Sequence, residues 1–298
     1  MRIRIKFRKY GVMRFIGHLD IMRYFQKAMR RANIDIAYSE GFSPHQIMSF
    51  AAPLGVGITS DGEYLDIEAK STKSTQESIA ALNAVMVDGI EITQYVALRQ
   101  DEKKAMTAVG AADYIVYFKN EIDFTQEELE EKIRIYYEER SNIEVTKQTK
   151  KSERVIDLKP LIYVFRPYVE KELGWQGFFL QLSAGSTDNI KPELVLQDFY
   201  QYFGKKYYPF NMQIHRVETY EHTENGLRPL YQAGDVIEAK SHYHRYLCQQ
   251  SSGAYVCHRF RTPDAGSTLP KTRAGIHPGK YLCRTGTESR AEYSGCFY

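Results

Sequence analysis

The sequence predicts an α+β protein made of two halves with antiparallel sheets. Three observations carry this. Segments of period 2 and period 3.6 follow one another as strand, helix, strand, strand, helix, strand over residues 1–105. A similar order returns over residues 106–235. Both periodicities then fade, so residues 236–298 are expected to form an irregular, poorly ordered C-terminal tail. The six-element order is that of a ferredoxin-like split βαβ unit, which makes two ferredoxin-like halves the expected architecture.

Each element has its own signature. In the first strand Ile3, Ile5 and Phe7 alternate with Arg2, Arg4, Lys6 and Arg8. A helix follows over about residues 19–33. At 100° per residue from Leu19, its Ile21, Met22, Phe25, Met29 and Ala32 lie between about 200° and 300°. Arg23, Lys27, Arg30 and Arg31 lie between about 20° and 120°, nearly opposite. Residues 46–54 and 63–69 read as strands, separated by the turn Gly55-Val56-Gly57. That turn lacks a following Lys-Ser/Thr and a helix, so it is a strand connection and not a phosphate loop. Residues 74–87 form a second helix with Ile79, Leu82, Val85 and Met86 inward, and residues 90–98 a fourth strand.

In the second half, residues 112–119 read as a strand and 125–139 as a helix with Leu129, Ile133 and Tyr136 inward. Residues 143–147 and 155–158 form a hairpin around the charged tip Lys150-Lys151-Ser152-Glu153. Strands at 161–170 and 177–183, a helix opened by Pro192, and a strand at 213–220 complete the set. Trp175, beside Gly174 and Gly177, is expected to pack in the core or at a strand edge.

Composition sets the class. A hydrophobic fraction of 43% with 26% charged residues is that of an ordinary globular protein. No apolar run approaches the roughly 18–20 residues that cross a bilayer, so no membrane partner is expected. The opening MRIRIKFRKYGVMRF reads as a strand and not a secretion signal, and the expected location is cytoplasmic. The net charge of +3 is unevenly placed, since residues 239–298 hold 9 of the 40 basic and 3 of the 37 acidic residues. All four cysteines, Cys248, Cys257, Cys283 and Cys296, lie in the last 51 residues, which excludes a disulfide framework in the main fold.

Motif residues then narrow the reading. They are Gly17-His18-Leu19-Asp20, Arg30-Arg31-Ala32, and the run from Ala37 through Gly41-Phe42-Ser43-Pro44-His45. Ser49 through Gly57 and Glu63-Tyr64-Leu65-Asp66 extend the pattern. Over residues 1–70 the chain closely resembles the bacterial radical SAM-linked domain of unknown function, in its stand-alone form. To about residue 235 the resemblance is looser, with Asp157-Leu158-Lys159-Pro160 as a secondary marker. It implies an accessory role beside a radical SAM enzyme and carries over no catalytic residues. The tail beyond about residue 240 has no counterpart in the resemblance.

The chain holds no Cys-X3-Cys-X2-Cys, the spacing a radical SAM cluster needs, so it reads as the partner and not the catalyst. The first strand repeats a cation about every 7 Å, and Arg2, Arg4, Lys6 and Arg8 with Tyr10, Phe15 and Tyr64 form a candidate RNA platform. A solvated outer face is the plainer alternative. The helix cations Arg23, Lys27, Arg30 and Arg31 form a second binding candidate for nucleic acid or an acidic partner. Phe42, Ser43 and His45 form a docking tip. His18, Asp20 and His45 are the acid–base candidates if the loop folds over the helix start. Their plainer reading is helix capping and turn formation.

In the tail, His242, His244, His258 and His277 accompany the cysteines, but spacings of X8, X25 and X12 lack the paired thiolates of a zinc site. No metal or cofactor is expected. The sequence therefore points to a non-catalytic, substrate-binding partner of a radical SAM protein acting on RNA. The alternative is an RNA-processing or RNA-modifying enzyme on the tandem scaffold, using His18, His45 and Asp20.

Overall fold

Strand β1 (Arg2–Lys9) lies between two others and organises the first half. A 3-10 turn over Gly11–Phe15 leads into α1 (His18–Arg31), and β2 (Met48–Phe50), β3 (Thr59–Glu68), α2 (Thr75–Asn83) and β4 (Ile90–Leu98) follow. The strands run β4-β1-β3, with β2 on the far side of β3, and every pairing among them is antiparallel. Ile3, Ile5 and Phe7 pack against Ile21, Phe25 and Met29 of α1, so the alternation and the helical stripe meet in one core. Helix α1 stops in a left-handed cap, with Asn33 at φ 53° and the Ile34 N–H donating to the Met29 carbonyl over 3.0 Å. Helix α2 starts on a capping box between Ser74 and Glu77.

The second half comprises α3 (Ala105–Ala108), β5 (Val109–Phe118), α4 (Gln126–Ile133), β6 (Glu144–Gln148), β7 (Glu153–Asp157), β8 (Ile162–Glu170), β9 (Trp175–Ser183), α5 (Pro192–Tyr202) and β10 (Met212–Thr223). One π turn, Arg134–Glu138, prolongs α4. The order β10-β5-β9-β8 is again antiparallel throughout. Leu129 and Ile133 of α4 and Val195, Leu196 and Phe199 of α5 cover one sheet face, against Val116, Phe178, Leu180 and Leu182. Strands β6 and β7 form the expected hairpin; most of its charged tip lies outside the described residues.

The computed structural model describes residues 1–148, 153–185, 188–239, 246–251 and 254–259. Within Met1–Lys240 the two halves share a ten-stranded, mostly antiparallel sheet. Its one parallel junction pairs β10 with β3 at His215↔Thr59 and Arg216↔Ser60. Gly62 allows this approach, because a Cβ there would lie 2.6 Å from the Glu218 Cα. The chain then returns to the first half through β11 (Gly226–Pro229), which pairs β10, a 3-10 turn over Leu230–Ala233, and β12 (Gly234–Val236), which pairs β4. Residues expected to belong to the second half and the tail thus complete the first.

Ser241–Tyr298 is a separate unit. Its described part is an antiparallel ribbon of β13 (Tyr246–Ser251) and β14 (Ala254–Arg259), where an irregular tail was expected. Tyr246, Leu247, Tyr255 and Val256 are residue types that suit such pairing. The remaining tail residues, including His242, His244, His277, Cys283 and Cys296, lie outside the described residues. Among those described, no helix is long and apolar enough to cross a membrane.

Candidate functional site

Chemistry-bearing residues collect in three places: on α1 and the loop after it, on the strand-β1 face, and at the junction of the halves. The α1 face matches its sequence reading. Ile21, Phe25, Ala28 and Met29 are buried, while Arg23, Lys27, Arg30 and Arg31 are exposed. Arg23 pairs with Asp20 over 3.3 Å in solvent, and Arg31 lies over the Tyr24 ring at 5.8 Å. Lys27 and Arg30 form no ion pair among the described residues.

The motif loop is a hairpin tip fastened to that helix. Its base is the bridge Tyr38↔Gln46, followed by the Ser39 N–H donating to the His45 carbonyl over 2.8 Å. Gly41 turns the chain at φ 110°, a region that side chains rarely adopt. Gln46 is buried, and its amide donates to the Gln26 carbonyl in the middle of α1 over 3.2 Å. Gln26 lies between Arg23 and Lys27 in the sequence, so the base of the hairpin meets α1 next to the cationic stripe. Phe42 is fully exposed at the tip, with Ser43 and Pro44 exposed beside it.

The three acid–base candidates have separate neighbours. His45 Nδ1 lies 2.8 Å from the Ser39 hydroxyl, which also accepts from the His45 N–H over 3.1 Å. The His18 ring meets Phe50 edge-on at 5.1 Å, and the Asp20 contact is with Arg23. Local turn and packing contacts account for all three. Among the described residues no group of three His, Cys, Asp or Glu side chains could hold a metal ion.

The strand face departs from the platform reading. Arg4 is completely buried; its guanidinium clasps Asp66 over 2.8 and 3.0 Å and also donates to the Leu230 and Lys103 carbonyls. Asp66 accepts a further 2.7 Å bond from the Ala105 N–H. Lys6 pairs with Glu218 over 2.6 Å, and Arg8 with Asp61 over 2.7 Å and Glu91 over 3.0 Å. Arg2 donates to the carbonyls of Arg99, Gln100 and Glu102. Tyr64, expected to offer a stacking surface, is buried and donates to Glu218 over 2.7 Å. The face is an ion-pair seam, buried at Arg4 and open to solvent at Arg8, because β1 lies between strands that supply carboxylates and the returning chain covers its Arg4 end.

At the junction, Thr59 Oγ1 lies 2.9 Å from His215 Nδ1, and His215 Nε2 lies 3.4 Å from Asp61. Burial pushes the Asp61 carboxyl up, but hydrogen bonds from His215 and Arg8 outweigh it and hold the pKa at about 2. Behind the sheet, Arg216 donates to Glu63 and to the Ala52 carbonyl over 2.9 Å each, which fixes the motif segment before Gly55. Burial lowers the Lys9 pKa, with Glu63 opposing, while its ammonium donates to the Ile16 carbonyl over 2.8 Å. Neither His215 nor Arg216 carried a sequence signal, since both act on residues more than 150 positions away.

The α1–loop surface uses the motif residues between Gly17 and Gly57, and these fall inside residues 2–192, which match a family model described as "Uncharacterized protein conserved in bacteria (DUF2344)". The chain belongs to the DUF2344 family. In this DUF2344 chain the match takes in β1 to β9 and ends at the first residue of α5. No curated protein matches the chain. Among solved structures, a chain of the "Crystal Structure of a Cbf5-Nop10-Gar1 Complex" is similar over 74% of this chain and 50% of its own length, at 11% identity and a TM-score of 0.42. This chain thus spans half the length of that one, and a likeness of that size carries no functional argument.

Proposed function

We propose that this DUF2344 chain is a non-catalytic accessory protein of the cytoplasm that docks onto a radical SAM enzyme and holds its substrate, with RNA as that substrate. The observation that carries the docking reading is Phe42, fully exposed at the tip of a hairpin whose base is bonded to the cationic helix α1. An exposed aromatic on a loop attached to a cationic helix suits an apolar pocket rimmed by acidic side chains. The radical SAM assignment is supported by the motif resemblance alone. We also read each half as a ferredoxin-like split βαβ unit. The orders β4-β1-β3-β2 and β10-β5-β9-β8, each with two crossover helices, support this.

The test is co-purification of the tagged full chain with radical SAM proteins from its native host. The pair Arg23→Glu/Lys27→Glu and the single change Phe42→Ser are expected to abolish capture, while His45→Ala preserves it. Capture unchanged by the first two variants would overturn this docking surface. The Thr59–His215–Asp61 relay favours a second reading, an RNA-modifying enzyme in which His215 moves a proton at the Thr59 hydroxyl. Activity of the isolated chain on RNA that vanishes in His215→Ala would support that reading in place of the first.

A further inference from the structure

Helices α4 and α5 cover one face of the second half of the sheet, and on the opposite face aromatic rings stand among the polar side chains Asp113, Gln181, Gln213 and His215. Parity decides which residues stand there. Phe178, Leu180 and Leu182 of β9 point to the helices, so Trp175 and Phe179 point away. On β5, Val116 and Phe118 are buried, and Tyr117 shares the open side.

Trp175 lies flat on Tyr117, with ring centroids 4.3 Å apart and planes 2° apart, and remains 37% exposed. Arg166 of β8, cross-strand from Phe179, places its guanidinium 4.2 Å from that ring's centroid. Arg166 is exposed and forms no ion pair among the described residues. Gly177 sits opposite Tyr117 in the register. A Cβ on Gly177 would lie 2.0 Å from the Val116 carbonyl oxygen, so the floor between the rings stays free of any side chain. His215 borders the same row on β10.

We propose that this open face is a base-stacking platform for single-stranded nucleic acid. Bases would continue the Trp175–Tyr117 stack and cover Phe179, and Arg166 would take the phosphate. Stacked rings with an unpaired guanidinium match the two chemistries of such a strand, π faces and regular negative charge. An apolar protein helix would instead leave Arg166 without a partner charge. The platform is separate from the Phe42 surface. It rests on the proposed function only for the choice of RNA, since RNA and single-stranded DNA share both chemistries.

The chain's single tryptophan supplies the experiment. The full chain is titrated with a short single-stranded RNA of mixed sequence, the DNA of the same sequence, and the RNA duplex. Intrinsic fluorescence and the anisotropy of a labelled oligomer are both followed. Trp175 emission should quench in step with the anisotropy, and the duplex should bind more weakly. Trp175→Ala should weaken binding by roughly 5- to 100-fold, the size of one lost stacking contact, with Trp175→Phe restoring most of it. Arg166→Glu should weaken binding and flatten its salt dependence. Thermal unfolding of each variant confirms that it is folded. Binding to either single strand supports the platform, and the tighter one names the source. Binding with unchanged Trp175 emission, equal binding of the duplex, or no binding at low salt overturns it. Co-purification with the radical SAM protein is read separately, so either idea can fail alone.

Discussion

Strand β1 and helix α1 each carry four basic side chains in a regular repeat, and the fold treats the two sets in opposite ways. On β1, Arg4 is buried, Lys6 and Arg8 are paired with carboxylates, and Arg2 is bonded to carbonyls. On α1 the four cations stand in solvent, and among the described residues their one ion pair is that of Arg23 with Asp20 three residues away. A central strand has neighbours on both sides, and here a returning chain also covers its Arg4 end. The outer face of a surface helix meets only water. A periodic row of cations therefore announces a binding surface only when its element has an uncovered side.

The difference can be broken from the strand side first. Arg4→Ala leaves Asp66 buried without its guanidinium and should cost about 3–5 kcal/mol in a chemical denaturation experiment. A loss below about 1 kcal/mol would mean that the seam is not structural. Lys6→Met leaves Glu218 without its cation but still bonded to Tyr64, and should cost less, about 1–2 kcal/mol by the same measurement.

Acid titration sharpens the comparison. The folded pKa of Asp61 lies at about 2, below the ordinary carboxylate value of 3.8. Its stabilisation is therefore complete above about pH 4 and is lost as pH falls toward 2. Asp61→Asn should reduce the loss of stability in that window, and an unchanged acid limb would contradict the pairing with His215 and Arg8. The smallest effect belongs to the helix. Arg23→Glu/Lys27→Glu should change stability by no more than about 0.5 kcal/mol while abolishing partner capture. A larger loss of stability would show that the stripe serves the fold.

Legibility in the sequence follows the same division. The α1 stripe was readable because its buried and exposed residues repeat within one helix, and the core positions Ile21, Phe25 and Met29 fell as the period required. The motif loop was readable as a turn too, since Gly41 and Pro44 shape the chain locally. The partners of β1 were not. Asp66, Glu218 and Glu91 are 62, 212 and 83 positions from the cations they hold. Trp175 was placed in the core or at a strand edge, and the structure puts it at the start of β9, stacked on Tyr117 and 37% exposed. The second strand was expected over residues 46–54 and is only Met48–Phe50, because β10 takes the remaining edge of β3.

By itself, the sequence determined the α+β class, the order of the main helices and strands, the amphipathic α1 and the family motif. These depend on neighbours a few residues apart. Tertiary structure alone decided that β10 would join β3, that Arg4 would be buried under the returning chain and Lys6 and Arg8 paired with carboxylates, and that Tyr117, Trp175 and Phe179 would share one face. Each depends on which strands become adjacent, and hydrogen-bond register between distant segments sets that adjacency, not any local repeat.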